Sequence, residues 1–186
     1  MRHSKFKIQN SKLLGLILFL PLLVACGGGD WRVYDTSEFS IEFPGPAHDT
    51  VTIIGTTAGS ESFYEPAPNS LDSNVYYSVS LYSLPDSISL VKENMYRLFE
   101  SDVQIYAWSI GGTLVDTGRV VKSGDVEGRE YDVIINGNRG ISTVRKFAVG
   151  KHLYTLRVIT ANTKLGNHEI KYFMESFKLK IPAKQK

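Results

Sequence analysis

Hydrophobic and polar residues along this chain follow two periods, and the changes between them mark its elements. Trp31-Arg32-Val33-Tyr34 and Phe39-Ser40-Ile41-Glu42-Phe43 alternate at every second position, as a strand with one buried face does. Asp35-Thr36-Ser37 supplies turn residues between them and Pro44-Gly45-Pro46 stops the second, so the pair reads as a hairpin. Thr50–Thr57 and Val75–Leu84 read as the next strands, with a loop around Pro66, Pro68 and Asn69 between them. From Ser87 to Ile110 the apolar positions Ile88, Val91, Met95, Val103 and Ile110 recur on a helical stripe with charged residues between them. This predicts one amphipathic helix, with Ser87 or Ser89 as its cap and Gly111-Gly112 at its end.

Four strand-like runs follow, Thr113–Val121, Gly128–Ile135, Ile141–Val149 and His152–Thr160. Ser123-Gly124-Asp125, Asn136-Gly137-Asn138 and Gly150-Lys151 connect them with residues that tolerate tight turns, which predicts an antiparallel meander. A closing helix over Leu165–Ser176 places Ile170, Phe173 and Met174 on one face, and Lys178–Ile181 is a short tail. The expected class is α+β, a largely antiparallel sheet sandwiched by helices in the order ββββ-α-ββββ-α.

The head of the chain has a different pattern. Arg2, Lys5, Lys7 and Lys12 precede an uninterrupted run of apolar, Gly and Pro residues from Leu13 to Ala25. That run is thirteen residues long. A membrane-spanning helix needs about 20, so the run is too short for a stable span. It closes on Leu23-Val24-Ala25-Cys26, which resembles the lipobox of bacterial lipoprotein signal peptides. The resemblance implies that residues 1–25 are an export signal, that Cys26 takes a diacylglycerol on its thiol, and that the bond after Ala25 is then cut. The alternative is an ordinary secretory signal with Cys26 an incidental buried thiol. The single Cys of the chain stands where the pattern requires it. Gly27-Gly28-Gly29-Asp30 then reads as a flexible tether, so that residues 26–30 link lipid to a single domain over 31–182.

Removal of the signal changes the charge. It takes four of the 21 Lys and Arg and none of the 19 Asp and Glu, leaving 17 against 19 and a formal charge of −2. A weakly acidic domain with interspersed charges lacks the basic stripe of a nucleic-acid binder. With its Cys committed to lipid, the domain relies on its core and not on disulfides.

No residue set specifies a reaction. His48, His152 and His168 show no paired metal-ligand spacing, and no free Cys remains to ligate, so neither a metal nor another cofactor is expected. Gly-x-Ser-x-Gly is absent, so no catalytic residues are assigned. Glu127, Glu130 and Asp132 read as a solvated face. Arg139, Arg145, Lys146, Lys151 and Arg157 read as solubilising charges, with strand alternation placing Arg145 and Phe147 on one face and Lys146 on the other. Tyr64, Tyr76, Tyr77, Tyr82, Tyr106 and Trp108 divide by alternation between core and a surface suited to a partner.

The element order joins four local motifs: Phe39-Ser40-Ile41-Glu42-Phe43-Pro44-Gly45, Gly128-Arg129-Glu130-Tyr131, the hairpin from Phe147 to Val158, and Phe173-Met174-Glu175-Ser176-Phe177. Together they resemble the PsbP-like superfamily, which includes bacterial envelope lipoproteins similar to DcrB, over nearly all of residues 31–180. The resemblance implies an α/β/α sandwich and a role in binding or assisting other proteins, and no ligand site of that superfamily maps onto matching positions here. The function expected is that of a non-enzymatic envelope lipoprotein, held to the bilayer by acylated Cys26, that binds a protein partner or supports an envelope assembly. A small-ligand or lipid carrier with a groove between helix and sheet is the alternative. Gly27 stands where the familiar sorting rule has an Asp for inner-membrane retention, which favours the outer membrane.

Overall fold

A computed structural model describes residues 30–54, 57–85, 91–135, 137, 139–161 and 167–180. Cys26, the signal and the glycine run therefore lie outside the described residues, as do Ser87, Ser89, Leu165 and the stretch from Ile181 onward.

The predicted first hairpin forms as β1 (Arg32–Asp35) and β2 (Phe39–Phe43), paired antiparallel. Thr36 closes it, its Oγ1 accepting from the backbone N–H of Phe39 at 3.0 Å and of Glu38 at 3.2 Å. The alternation in β2 buries Phe39, Ile41 and Phe43 and leaves Ser40 and Glu42 partly exposed.

Next come β3 (His48–Ile54), β4 (Thr57–Tyr64) and β5 (Asn74–Ser83), each antiparallel to the one before. This corrects the reading of Thr50–Thr57 as one strand. The Thr57-Ala58-Gly59-Ser60 stretch of β4 has weak intrinsic strand preference, and neighbours on both sides supply its order. Gly59 is required there, because a Cβ would stand 2.2 Å from the ring of Tyr82 on β5.

Helix α1 spans Lys92–Ser109, starting later than the periodicity suggested. Its N-cap is Val91, in extended conformation and without a side-chain cap bond, and the cap candidates Ser87 and Ser89 lie outside the described residues. Gly111, at φ 64°, ends it as expected. The predicted strand Thr113–Val121 is two, β6 (Gly112–Leu114) and β7 (Arg119–Ser123). Between them Gly118 adopts φ 86° and donates its N–H to Asp116 Oδ1 at 2.9 Å, a turn that a single continuous strand excludes.

The meander then runs as β8 (Val126–Ile135), β9 (Gly140–Val149) and β10 (His152–Thr160). Helix α2 (His168–Ser176) is capped by Asn167, whose side chain accepts from Ile170 N–H at 2.8 Å. The tail contributes a strand, β11 (Lys178–Leu179), which adds to β2 and completes a three-stranded sheet β1-β2-β11.

The large sheet has the order β3-β4-β5-β10-β9-β8-β6, with β7 also on β8. On one face α1 packs Phe99, Val103 and Ala107 against Tyr131, Val133, Val144 and Leu153. On the other lie α2 and the small sheet, with Phe43, Phe173, Tyr77, Leu156 and Phe147 in one cluster. Phe173 stands 5.3 Å from both Phe43 and Tyr77, so one helix residue joins the two sheets. Burial of such a side chain contributes about 1.5–3 kcal/mol. The chain enters this body at Trp31, whose ring meets Tyr77 edge-on at 6.2 Å and Tyr172 of α2 at 4.6 Å.

Candidate functional site

Strand alternation and register gather charged residues on the α2 face of the sheet. Glu130 lies opposite Arg145 and Asp132 opposite Thr143 across β8 and β9, while Arg119 lies opposite Glu130 across β7 and β8. Five polar side chains on three strands thus project to one side. Arg145 binds Glu130 Oε2 through Nε at 2.8 Å and Nη2 at 2.6 Å. Its Nη1 donates to the carbonyl oxygen of Met174 at 2.8 Å, which ties the last turn of α2 to the sheet. Arg119 reaches Glu130 at 3.0 Å and Asp132 at 2.8 Å, and Thr143 Oγ1 donates to Asp132 Oδ1 at 2.8 Å. Burial alone would lower the Arg119 pKa, but the bonds from Glu130 and Asp132 outweigh it and raise it, fixing the guanidinium as a cation.

Beside these groups a cavity of about 370 Å³ opens between sheet and helix, with Ile170 and Met174 as its apolar wall and Lys171 and Glu175 at its rim. Its charges satisfy one another, two guanidiniums against two carboxylates, so an entering ligand meets a wall whose polar groups already have partners. A second cavity of about 350 Å³ separates the small sheet from β3 and β4. There Asp49 Oδ1 accepts from Tyr34 Oη and Ser62 Oγ, each at 2.7 Å.

Lys146 lies on the α1 face, opposite to Arg145 and Phe147 as alternation predicts. Its ammonium is fully buried, bonded to Asp102 of α1 and to Thr155 Oγ1 at 2.8 Å. Burial drives its pKa below the ordinary value, against the pull of Asp102. Nearby, Arg157 lies over the Tyr106 ring at 4.3 Å and Arg129 over the Tyr96 ring at 4.4 Å.

His48, His152 and His168 are not brought together. His48 lies on β3 beside Phe63, His152 opens β10 beside Tyr154, and His168 opens α2 stacked on Tyr172. Among the described residues no group of three or more His, Cys, Asp or Glu is placed to hold a metal ion. Two readings are corrected. Glu130 and Asp132 are not a solvated face, since Asp132 is buried and both are locked to Arg119. Nor are Arg145 and Lys146 solubilising, since each holds one of the two helices to the sheet. A signal for the Glu130, Asp132 and Arg145 pairing was present in the sequence: acids at alternate positions of one predicted strand beside a cation on the next.

No family model matches the chain, and no curated protein matches it. Among solved structures it is similar to the solution structure of cyanobacterial PsbP (CyanoP) from Synechocystis sp. PCC 6803, with a TM-score of 0.53 and 14% identity over 85% of this chain and 99% of that one. The likeness shows a PsbP-like fold, largely antiparallel sheet with a helix on each face. At that identity it speaks to fold alone.

Proposed function

We propose that this chain is a non-enzymatic lipoprotein of the bacterial cell envelope, anchored through acylated Cys26, whose PsbP-like domain binds a protein partner or supports an envelope assembly. The observation that carries the reading is Leu23-Val24-Ala25-Cys26 at the end of a short apolar run, followed by three glycines. The packing of Trp31 supports it, because a residue five positions after the Cys already packs on Tyr77 and Tyr172, which suits a domain on a short tether. Two or three acyl chains at roughly 0.8 kcal/mol per buried methylene hold a domain on a membrane firmly. Gly27 in place of Asp supports an outer-membrane address.

Crosslinking of the lipidated protein in its native membranes tests the partner. A stoichiometric crosslinked protein is the expected result, and recovery of the domain alone with a copurifying small molecule would overturn it. The second reading, a carrier of a small ligand or lipid, is favoured by the cavity between α2 and β8–β9, whose volume exceeds the roughly 300 Å³ that ligand pockets need. Its paired charges weigh against a lipid tail there.

A further inference from the structure

The register of the large sheet defines two ends. Asn74 pairs with Thr160, Thr160 with Ile141, Gly140 with Ile135, and Ile135 with Gly112, so these residues line one end from β5 to β6. Asn167, at the start of α2, joins the same end through its side-chain bond to Asn74 at 2.9 Å. Trp31 sits there too, against Tyr77 three residues from Asn74 and against Tyr172. The tether therefore leaves from this end.

Large exposed apolar side chains gather at the same end, on both sides of the sheet. Leu71, in the loop entering β5, is wholly exposed, and Val75 is about half exposed. On the α1 side, Ile105 and Trp108 occupy the last turn and a half before Gly111, and Trp108 is 71% exposed. Toward the opposite end, marked by Ser83, His152 and Val149, the large exposed apolar residues among those described are the valines Val51, Val91 and Val120, with no Leu, Ile or Trp. Scattered exposed valines are ordinary, but an exposed Leu, Ile and Trp that share one end are not what a fully solvated domain requires.

Tether length identifies what covers them. Trp31 stands five positions after Cys26, with four residues between them. At 3.3–3.6 Å per residue those five steps span at most about 18 Å, and as a glycine-rich coil about 12 Å. A lipid on Cys26 thus holds this end, and no other, within reach of the headgroup layer, which is about 5–8 Å thick on each side. Trp and Ile or Leu side chains are the types that settle there, Trp with its ring in the interface and its N–H hydrated.

We propose that the tether end of the domain lies on the lipid surface itself, with Ile105 and Trp108 on one side and Leu71 and Val75 on the other entering the headgroup region. This rests on the anchored reading. It turns the far end, around Val149–His152 and Asp35–Phe39, outward toward a partner.

The test uses the mature lipidated protein in phosphatidylcholine vesicles whose acyl chains do or do not carry bromine, with Trp108→Phe as the control. Trp108 is mostly exposed and Phe keeps an aromatic ring, so the variant is expected to melt with the wild type. The difference spectrum isolates Trp108 from Trp31, the other Trp of the chain. The expected result is Trp108 emission shifted to the blue and quenched in brominated vesicles. Vesicle-bound protein with Trp108 unshifted and unquenched would overturn the proposal while leaving the anchor intact. A blue shift in native membranes but not in pure lipid would also overturn it, assigning the surface to a protein. Protein that carries no acyl group and fails to float with vesicles would remove the anchored reading, and this proposal with it.

Discussion

Replacing Asp102 by Ala strips the buried Lys146 ammonium of its anionic partner on α1, leaving Thr155 Oγ1 as a bonded neighbour with the Arg157 charge nearby. Breaking a buried ion pair from one side costs about 3–5 kcal/mol. Asp102 is 47% exposed, so its own attraction is screened and the lower end applies, about 3 kcal/mol. For a domain of this size each kcal/mol lowers Tm by about 2–4 °C, so a fall of about 6–12 °C is expected.

Lys146→Met should behave differently. It removes the costly buried charge, keeps the volume, and leaves a carboxylate that water can reach, at the cost of an unmet Thr155 hydroxyl. Its stability should lie within about 1 kcal/mol of wild type, and adding it to Asp102→Ala should restore most of the loss. Urea unfolding of the four proteins measures this. The pH dependence supplies a second check. The folded Lys146 pKa lies below its ordinary 10.5, so between the two values the unfolded chain holds the proton that the folded chain releases. Stability of Asp102→Ala therefore rises relative to wild type as pH climbs toward 10.5. Equal losses in both single variants, with no recovery in the double, would refute the reasoning.

Two further outcomes follow from the packing. Asn167→Ala removes the α2 cap and the bonds to Ser73 and Asn74, at a cost of about 1–2 kcal/mol, so a calorimetric Tm about 2–8 °C below wild type is expected and an unchanged one contradicts the cap. Burial raises Tyr76 and Tyr131 from 10.0 to about 12, so their contribution to stability is complete below pH 10 and lost as pH rises through 12. Tyrosinate absorbance should rise in two stages, the second together with unfolding, whereas a single stage near pH 10 would show that these phenols are not held neutral.

The sequence made most elements legible because their periods are clean. In β2 every second residue is buried, and the turn chemistry at Gly124, Gly137 and Gly150 does take positive φ. Strand β4 was hidden because Ala58, Gly59 and Ser60 have little strand preference of their own, and Gly59 exists to admit the Tyr82 ring. The break at Asp116–Gly118 was hidden because one Asp and one Gly within an alternating run do not announce a turn. Of the α2-face network, alternation showed which residues share a face, as for Arg145 and Phe147. It did not show which face a helix covers, so Glu130, Asp132 and Arg145 looked solvated although α2 closes over them. The carboxyl end of α2 supplies the Met174 carbonyl that orients Arg145, a backbone partner that no sequence pattern marks.

Cys26 is the residue on which the proposed anchor depends, and intact mass of the protein extracted from membranes tests it. The expected species begins at Cys26 and carries diacylglycerol on the thiol, with labelled fatty acid incorporated into wild type and none into Cys26→Ser. A mature protein with a free, unmodified Cys26 thiol, or one cut elsewhere and equally labelled in both forms, would contradict it.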